Sequence, residues 1–183
     1  MFEKYKEWKL LQLFLETPEQ GLYTKEIARH TGIGAGTVNT FLRHIQNDDI
    51  LIKEVVGNVH LYKLNNELAL VKQLKIFHTL LTFTHHQLIE KLLQENNTIT
   101  SIILYGSHAN GENDSKSDID ILCLLHDKTS FTQTLQTLEH KIKNPISLQQ
   151  MTLPDWQKIK ENDKPFYESI IKKHVVLYGS GLP

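Results

Sequence analysis

The chain has 183 residues, of which 40% are hydrophobic, and its formal net charge at pH 7 is −1. Basic and acidic residues balance in both halves, which excludes the strong basic excess of a non-specific nucleic-acid binder. One cysteine excludes an internal disulfide framework and favours a reducing compartment, and no apolar run approaches the roughly 20 residues that span a bilayer. We therefore expect a cytoplasmic protein without a membrane partner, made of one medium domain or two small ones.

The first third of the chain carries the apolar spacing of three short helices. Residues 4–16 form the first of them. Thr24 is the expected N-cap of the second helix, which Gly32 ends. Apolar side chains at helical spacing place the third helix between Thr37 and Ile45. This third of the chain is therefore predicted to be mainly helical as far as residue 45.

Two short strands follow, Leu51–Val56 and Val59–Leu64, joined by the two-residue hairpin signal Gly57-Asn58. Three helices and a hairpin in this order, with the segment TKEIARHTGIGAGTVNTFLRHI, resemble the winged helix-turn-helix domains of bacterial and archaeal transcription regulators. The resemblance covers residues 1–66 and implies DNA contact by the third helix and by basic side chains. The third helix would enter the major groove through Ala35, Gly36, Thr37, Asn39 and Thr40, and Arg43, Lys53 and Lys63 would meet phosphates.

A second interpretation of residues 1–66 is a protein module without DNA contact. Winged helices also serve in dimerisation and protein docking, and the balanced charge of this segment favours that alternative. We expect a homodimer, which on DNA would need half-sites about one helical turn apart. Both interpretations stay open at this point.

Residues 67–95 contain neither proline nor glycine and carry a long apolar stripe. We predict two helices with a joint near Thr82–Thr84, because β-branched side chains crowd there. Residues 67–84 would be a connecting helix and residues 85–183 a second domain. His86 and Glu90 lie four residues apart, which suits a metal pair, although an exposed pair on a helix is the commoner explanation.

The rest of the chain alternates apolar strand-like runs with amphipathic segments. The pattern predicts strands at 98–105, 119–125, 146–151 and around 175–178, a short helix after residue 105, and helices near 130–143, 153–161 and 165–173. We therefore predict an α+β fold, in which a small mixed sheet carries helices on one face.

Two carboxylates, Asp118 and Asp120, stand at the start of the second of these strands. Residues i and i+2 of a strand point to the same face, so the two like charges would lie side by side, which costs free energy unless a cation or a proton neutralises them. Gly106 and Ser107 form a small-residue turn at the end of the preceding strand. Hard oxygen ligands beside a turn that can approach phosphate predict metal-assisted phosphoryl chemistry.

Gly106-Ser107, a spacer of ten residues and Asp118-x-Asp120 resemble the signature of the minimal nucleotidyltransferases of the polymerase-beta-like superfamily. The resemblance implies that Asp118 and Asp120 bind the Mg²⁺ or Mn²⁺ ion that carries a nucleoside triphosphate, with ATP expected. It also implies that Ser107 takes part in catalysis and that Gly106, Ser107, His108 and Gly111 contact the nucleotide. A hydroxyl of a protein or small molecule would attack the α-phosphate, and pyrophosphate would leave.

The chain departs from that family pattern at two places. Asn110 stands where arginine is usual, and the strand Asn144–Met151 lacks the third carboxylate that serves as base and second metal ligand. Ser147 or Gln149 would lie nearest the metal site instead. Two functions follow: an enzyme that transfers a nucleoside monophosphate to a hydroxyl, or a DNA-binding regulator whose weak or inactive transferase domain senses nucleotide.

Overall fold

The computed structural model describes residues 4–183, in which the chain forms two compact units. The first unit ends at His78 and the second spans Thr79–Pro183. None of the helices in the described range combines the length and apolarity that crossing a membrane requires.

The first unit combines three helices with a small antiparallel sheet. Its elements are α1 (Lys6–Glu16), β1 (Leu22–Tyr23), α2 (Thr24–Thr31), α3 (Ala35–Asn47), β2 (Leu51–Val56) and β3 (Val59–Leu64). The three predicted helices and both hairpin strands are present. The two-residue strand β1 was not predicted; it pairs with β3 and makes the sheet order β1-β3-β2.

The core of the first unit explains why these helices form. Each helix turns an apolar stripe inward, and the stripes meet above the sheet. Leu10, Phe14, Ile27, Val38 and Leu42 are fully buried in this core.

Two helices link the first unit to the sheet of the second, α4 (Ala69–His86) and α5 (Leu88–Glu95). The joint lies at Gln87, whose φ of 54° is left-handed, so the predicted joint at Thr82–Thr84 is wrong. A helix accommodates threonine there because the hydroxyl bonds within the helix, and Thr84 Oγ1 donates to the carbonyl of Leu80. His86 and Glu90 consequently lie on different helices, and among residues 4–183 no three metal-ligating side chains cluster.

The second unit is built on a mixed four-stranded sheet. Its strands are β4 (Ile99–Tyr105), β5 (Ile119–Leu125), β6 (Ile146–Met151) and β7 (Val175–Gly179). Their order is β6-β5-β4-β7, with β5 and β6 parallel and the other pairs antiparallel. The helices of this unit after α5 are α6 (Gly106–Asn110), α7 (Thr132–Ile142), α8 (Leu153–Asn162) and α9 (Lys164–Lys172).

Helices cover both faces of this sheet, so the prediction of helices on one face is wrong. Ile121 and Cys123 pack with α5 and α7, whereas Leu122 and Leu124 pack with Trp156 of α8 on the other face. The reason is visible in β5 itself. Its run from residue 121 to 125 is apolar at every position instead of alternating, which is the pattern of a strand buried on two faces.

Candidate functional site

Tyr105, Asp120 and Ser147 lie side by side across three strands of the second sheet. Tyr105 of β4 is the antiparallel partner of Asp120, and Ser147 of β6 is its parallel partner. Partners in neighbouring strands project to the same face, and the Ser147 hydroxyl donates a hydrogen bond to the Asp120 carboxylate. Asp118, two residues before Asp120 and just outside β5, is exposed to solvent.

The two carboxylates make this end of the sheet electronegative. Burial raises the pKa of Asp120, the neighbouring Asp118 charge raises it further, and the bond from Ser147 opposes both effects. Burial and the Asp120 charge raise the pKa of Tyr105 to about 12, so its phenol keeps its proton at neutral pH. A cation placed between the carboxylates would relieve the repulsion that these shifts report.

The Gly106-Ser107 turn lies directly against Asp120. Gly106 has a φ of +69°, and a Cβ at this position would overlap Oδ2 of Asp120. Glycine is therefore required for its backbone conformation and for the close approach of the carboxylate. The strand order thus brings the turn and Asp120 together, although 12 residues separate them in the chain.

The other predicted phosphate contacts divide into two groups. Ser107 is half-buried at the start of α6, and Gly111 ends that helix with a φ of +75°. His108, by contrast, is 5% exposed, with Nδ1 3.0 Å from Thr79 Oγ1 and Nε2 3.4 Å from the Ser117 carbonyl. Both ring nitrogens of His108 therefore face protein atoms, whereas Ser107 and Gly111 lie at the two ends of α6.

The loop between α6 and β5 is organised by its own side chains. The Ser117 hydroxyl donates to Asp114 Oδ1 at 2.9 Å, and the Lys116 N–H donates to the same oxygen at 2.9 Å. These bonds lower the pKa of Asp114. Asn110 closes the start of the loop by donating from Nδ2 to Glu112 Oε2 at 2.9 Å. Asn110 therefore stabilises the start of this loop through its bonds to Glu112.

Ser147, and not Gln149, occupies the position of β6 beside the carboxylates. Gln149 pairs with Leu122, two residues beyond Asp120, and is exposed. The first acid after β6 is Asp155. Its carboxylate accepts from the Thr152 N–H at the start of α8 and pairs with Lys128 at 3.2 Å, which lowers its pKa.

In the first unit, the side chains predicted for DNA contact have different surroundings. The six residues predicted from α3 are all exposed: Ala35, Gly36, Thr37, Asn39, Thr40 and Arg43. Lys53 pairs with Tyr62 and Lys63 with Ile52, so the two lysines project from opposite faces of the hairpin. Lys63 Nζ also lies 2.8 Å from Glu54 Oε2, which offsets its charge. The hairpin does not present both lysines on one surface.

A mixed sheet with a Gly-Ser turn against an Asp-x-Asp strand places this unit in the class of nucleotidyltransferase-like folds. The family model described as "Polymerase beta, Nucleotidyltransferase" matches residues 87–181. Because the match covers more than half of the chain, the protein belongs to this nucleotidyltransferase family. The part of the resemblance that concerns the second domain is confirmed.

Solved structures of toxin–antitoxin proteins are similar to part of the chain. One, titled a toxin–antitoxin with AMP-PNP, is 22% identical over 52% of this chain and 74% of its own, with a TM-score of 0.38. Two mutants of the pair MntA–HpeT also match this chain. One is 20% identical over 52% of this chain and 74% of its own (TM-score 0.40), and the other is 21% identical over 52% and 72% (TM-score 0.37). No curated protein matches the sequence significantly.

Proposed function

We propose that the second unit binds a nucleoside triphosphate, with ATP expected, together with Mg²⁺ or Mn²⁺, and transfers the nucleoside monophosphate to a hydroxyl of a protein or small molecule. The observation that carries this proposal is the close approach of the Asp120 carboxylate to Gly106. This contact places the Gly106-Ser107 turn, which could bind phosphate, beside the acidic pair Asp118 and Asp120. Membership of the nucleotidyltransferase family supports the reaction type.

The residues present fit a divalent cation of this kind. Mg²⁺ is commonly held by one or two carboxylates and completes its shell with water and substrate phosphates. Asp118 and Asp120 supply that number of hard oxygen ligands, and the raised pKa of Asp120 marks a charge that a cation would stabilise. When bound, the cation supplies Lewis-acid stabilisation of the phosphate oxygens.

The chain's own groups then have separate tasks. Asp118 and Asp120 fix the position of the metal–nucleotide, and the backbone N–H groups and hydroxyl of the Gly106-Ser107 turn donate to phosphate oxygens. Transfer forms a bond between the acceptor oxygen and the α-phosphorus and breaks the bond to pyrophosphate, which leaves. The acceptor hydroxyl must also lose a proton, and Ser147 offers no basic group to take it. We therefore infer slow transfer.

Incubation with labelled ATP, GTP, CTP or UTP and Mg²⁺ tests the proposal, scored for pyrophosphate and for label on protein. Asp118→Asn and Asp120→Asn should abolish metal-dependent binding of the triphosphate. Asp127→Asn is the matched control, because it removes a carboxylate just beyond the opposite end of β5. Loss of binding in all three variants alike would contradict the assignment of the site.

A second candidate function, DNA binding by a winged-helix first unit, is favoured by the exposure of Thr37, Asn39, Thr40 and Arg43 on α3. In that case the protein would be a regulator that senses nucleotide, and a homodimer would present two copies of α3 to successive turns of the groove. Lys63 supports this candidate less than Lys53 does, because the Glu54 carboxylate offsets the Lys63 charge. Binding to its own promoter DNA at low salt tests this candidate.

A further inference from the structure

The backbone on both sides of Asp118 is tied to the two residues that precede β6. On one side, the Ser117 carbonyl accepts a hydrogen bond from Asn144 Nδ2 at 3.1 Å. On the other side, the Ile119 N–H donates to the Pro145 carbonyl at 2.9 Å. Asp118 is therefore the single residue between two anchored neighbours. We refer to the pair Asn144 and Pro145, with these two bonds, as the clamp.

The clamp is itself held in place by the end of α7. Lys143 caps that helix in a left-handed conformation (φ 67°), and its N–H donates to the Glu139 carbonyl at 2.7 Å. The Ile146 N–H donates to the Glu139 side chain at 2.8 Å. Residues on both sides of the clamp are thus bonded to Glu139. The Asn144 amide is presented to Ser117 from a backbone that is already fixed.

We propose that Asn144 is a positioning residue for metal binding, which acts by fixing the backbone of Asp118. This inference rests on the proposed function, since it assumes that Asp118 is a metal ligand. Asp118 is exposed and stands outside the regular ladder of β5, so its carboxylate gains little order from packing. The bond from Asn144 adds order at the Ser117 carbonyl, which His108 Nε2 also approaches at the longer distance of 3.4 Å. Pro145 presents its own carbonyl with a ring-restricted φ.

The test measures Mn²⁺ binding by the full chain, from the electron paramagnetic resonance signal of the free ion. Asn144→Ala removes the amide, and Asn144→Leu removes it while keeping the side chain's shape. Loss of a group that orients a metal ligand typically weakens affinity about 10–100-fold, so both variants should bind Mn²⁺ at least about 10-fold more weakly. Thermal melting identifies the temperature at which every variant is folded, and binding is measured below it.

Asn96→Ala is the matched control. Asn96 Nδ2 also donates to a backbone carbonyl, that of Asp127 at 2.8 Å, at the far end of β5, and its Oδ1 accepts from Thr98. This variant should melt at a lower temperature than wild type and yet keep its Mn²⁺ affinity within about 2-fold. A purely structural role for Asn144 would make the two positions behave alike.

Three outcomes distinguish the positioning role of Asn144 from the proposed function. Weak Mn²⁺ binding in both Asn144 variants, with normal binding in Asn96→Ala, supports the positioning role. Normal binding in either folded Asn144 variant, while Asp118→Asn binds weakly, overturns the positioning role and leaves the proposed function standing. Normal binding in Asp118→Asn overturns both.

Discussion

The strands β5 and β6 are neighbours in the second sheet, but they contribute different side chains to the candidate site. Asp120 of β5 places its carboxylate against Gly106, and Asp118 stands just before that strand, whereas β6 contributes the Ser147 hydroxyl at the position paired with Asp120. Under the proposed function, binding a metal–nucleotide would depend on the β5 residues, and activating an acceptor would require a base such as a third carboxylate on β6. Binding and proton removal would then have separate structural bases in this chain.

The largest effect should come from supplying the acid that β6 lacks. Ser147→Asp places a carboxylate beside Asp120, and general-base assistance is typically worth ~10²–10⁴ in rate. We expect nucleotidyl transfer to rise by a factor within that range, measured as pyrophosphate release with Mg²⁺ and ATP.

Gln149→Asp is the control for Ser147→Asp, because residue 149 pairs with Leu122 and lies farther along the strand. It should leave the rate unchanged. Fast transfer by wild type that neither substitution alters would show that another group acts as the base. It would contradict the claim that the missing acid on β6 limits transfer.

Removing the Asp118 or Asp120 carboxylate should strongly weaken metal-dependent nucleotide binding. Asp118→Asn and Asp120→Asn should each weaken Mg²⁺-dependent ATP binding by more than about 100-fold, beyond the range for groups that only orient ligands. Isothermal titration calorimetry with and without Mg²⁺ measures this, with Asp127→Asn as control. Equal ATP affinity in wild type and variants, with or without metal, would contradict the assignment of Asp118 and Asp120 as metal ligands.

Glycine substitutions offer a test of the turn. Gly106→Ala must place a Cβ at positive φ and against the Asp120 carboxylate, so we expect a loss of about 1–3 kcal/mol in the free energy of unfolding. Gly36→Ala, inside α3 with open space around the added Cβ, should instead gain about 0.5–1 kcal/mol. Urea denaturation of both variants gives the difference. A neutral Gly106→Ala would mean that the carboxylate does not approach the turn closely.

The smallest effects are expected at the first unit. If α3 and the hairpin meet phosphates, Arg43→Ala and Lys53→Ala should each reduce the salt dependence of DNA binding by about 0.9 in log–log slope. Lys63→Ala should change it less, because Glu54 already balances that charge. Fluorescence anisotropy across a salt series measures the slopes. Absence of binding to the promoter DNA at low salt would favour the docking-module alternative.

Much of the fold could be predicted because apolar runs are bounded by residues that end them. The strands β2, β3, β5 and β6 have the predicted bounds. The joint at Gln87 could not be predicted, since a non-glycine residue at positive φ gives no sequence signal. Helices on both sheet faces could have been predicted, because the unbroken apolar run of β5 already indicates two buried faces.

The candidate site, like the fold, could be predicted from the sequence only in part. The spacing of the Gly-Ser turn and the aspartates is local, and family membership is now established for that part of the chain. The choice between Ser147 and Gln149 depends on the register between β5 and β6, which no single strand specifies. The burial of His108 depends on its contact with Thr79, 29 residues away, and a histidine beside a turn gave no sign of it.

The most direct test of the account follows ATP binding and pyrophosphate release together in one sample of wild-type protein with Mg²⁺. We predict that ATP binds in a metal-dependent manner while pyrophosphate appears slowly, and that Ser147→Asp accelerates release with little change in binding. Metal-independent binding, or fast release from wild type that Ser147→Asp leaves unchanged, would contradict the separation between an intact binding strand and a missing base.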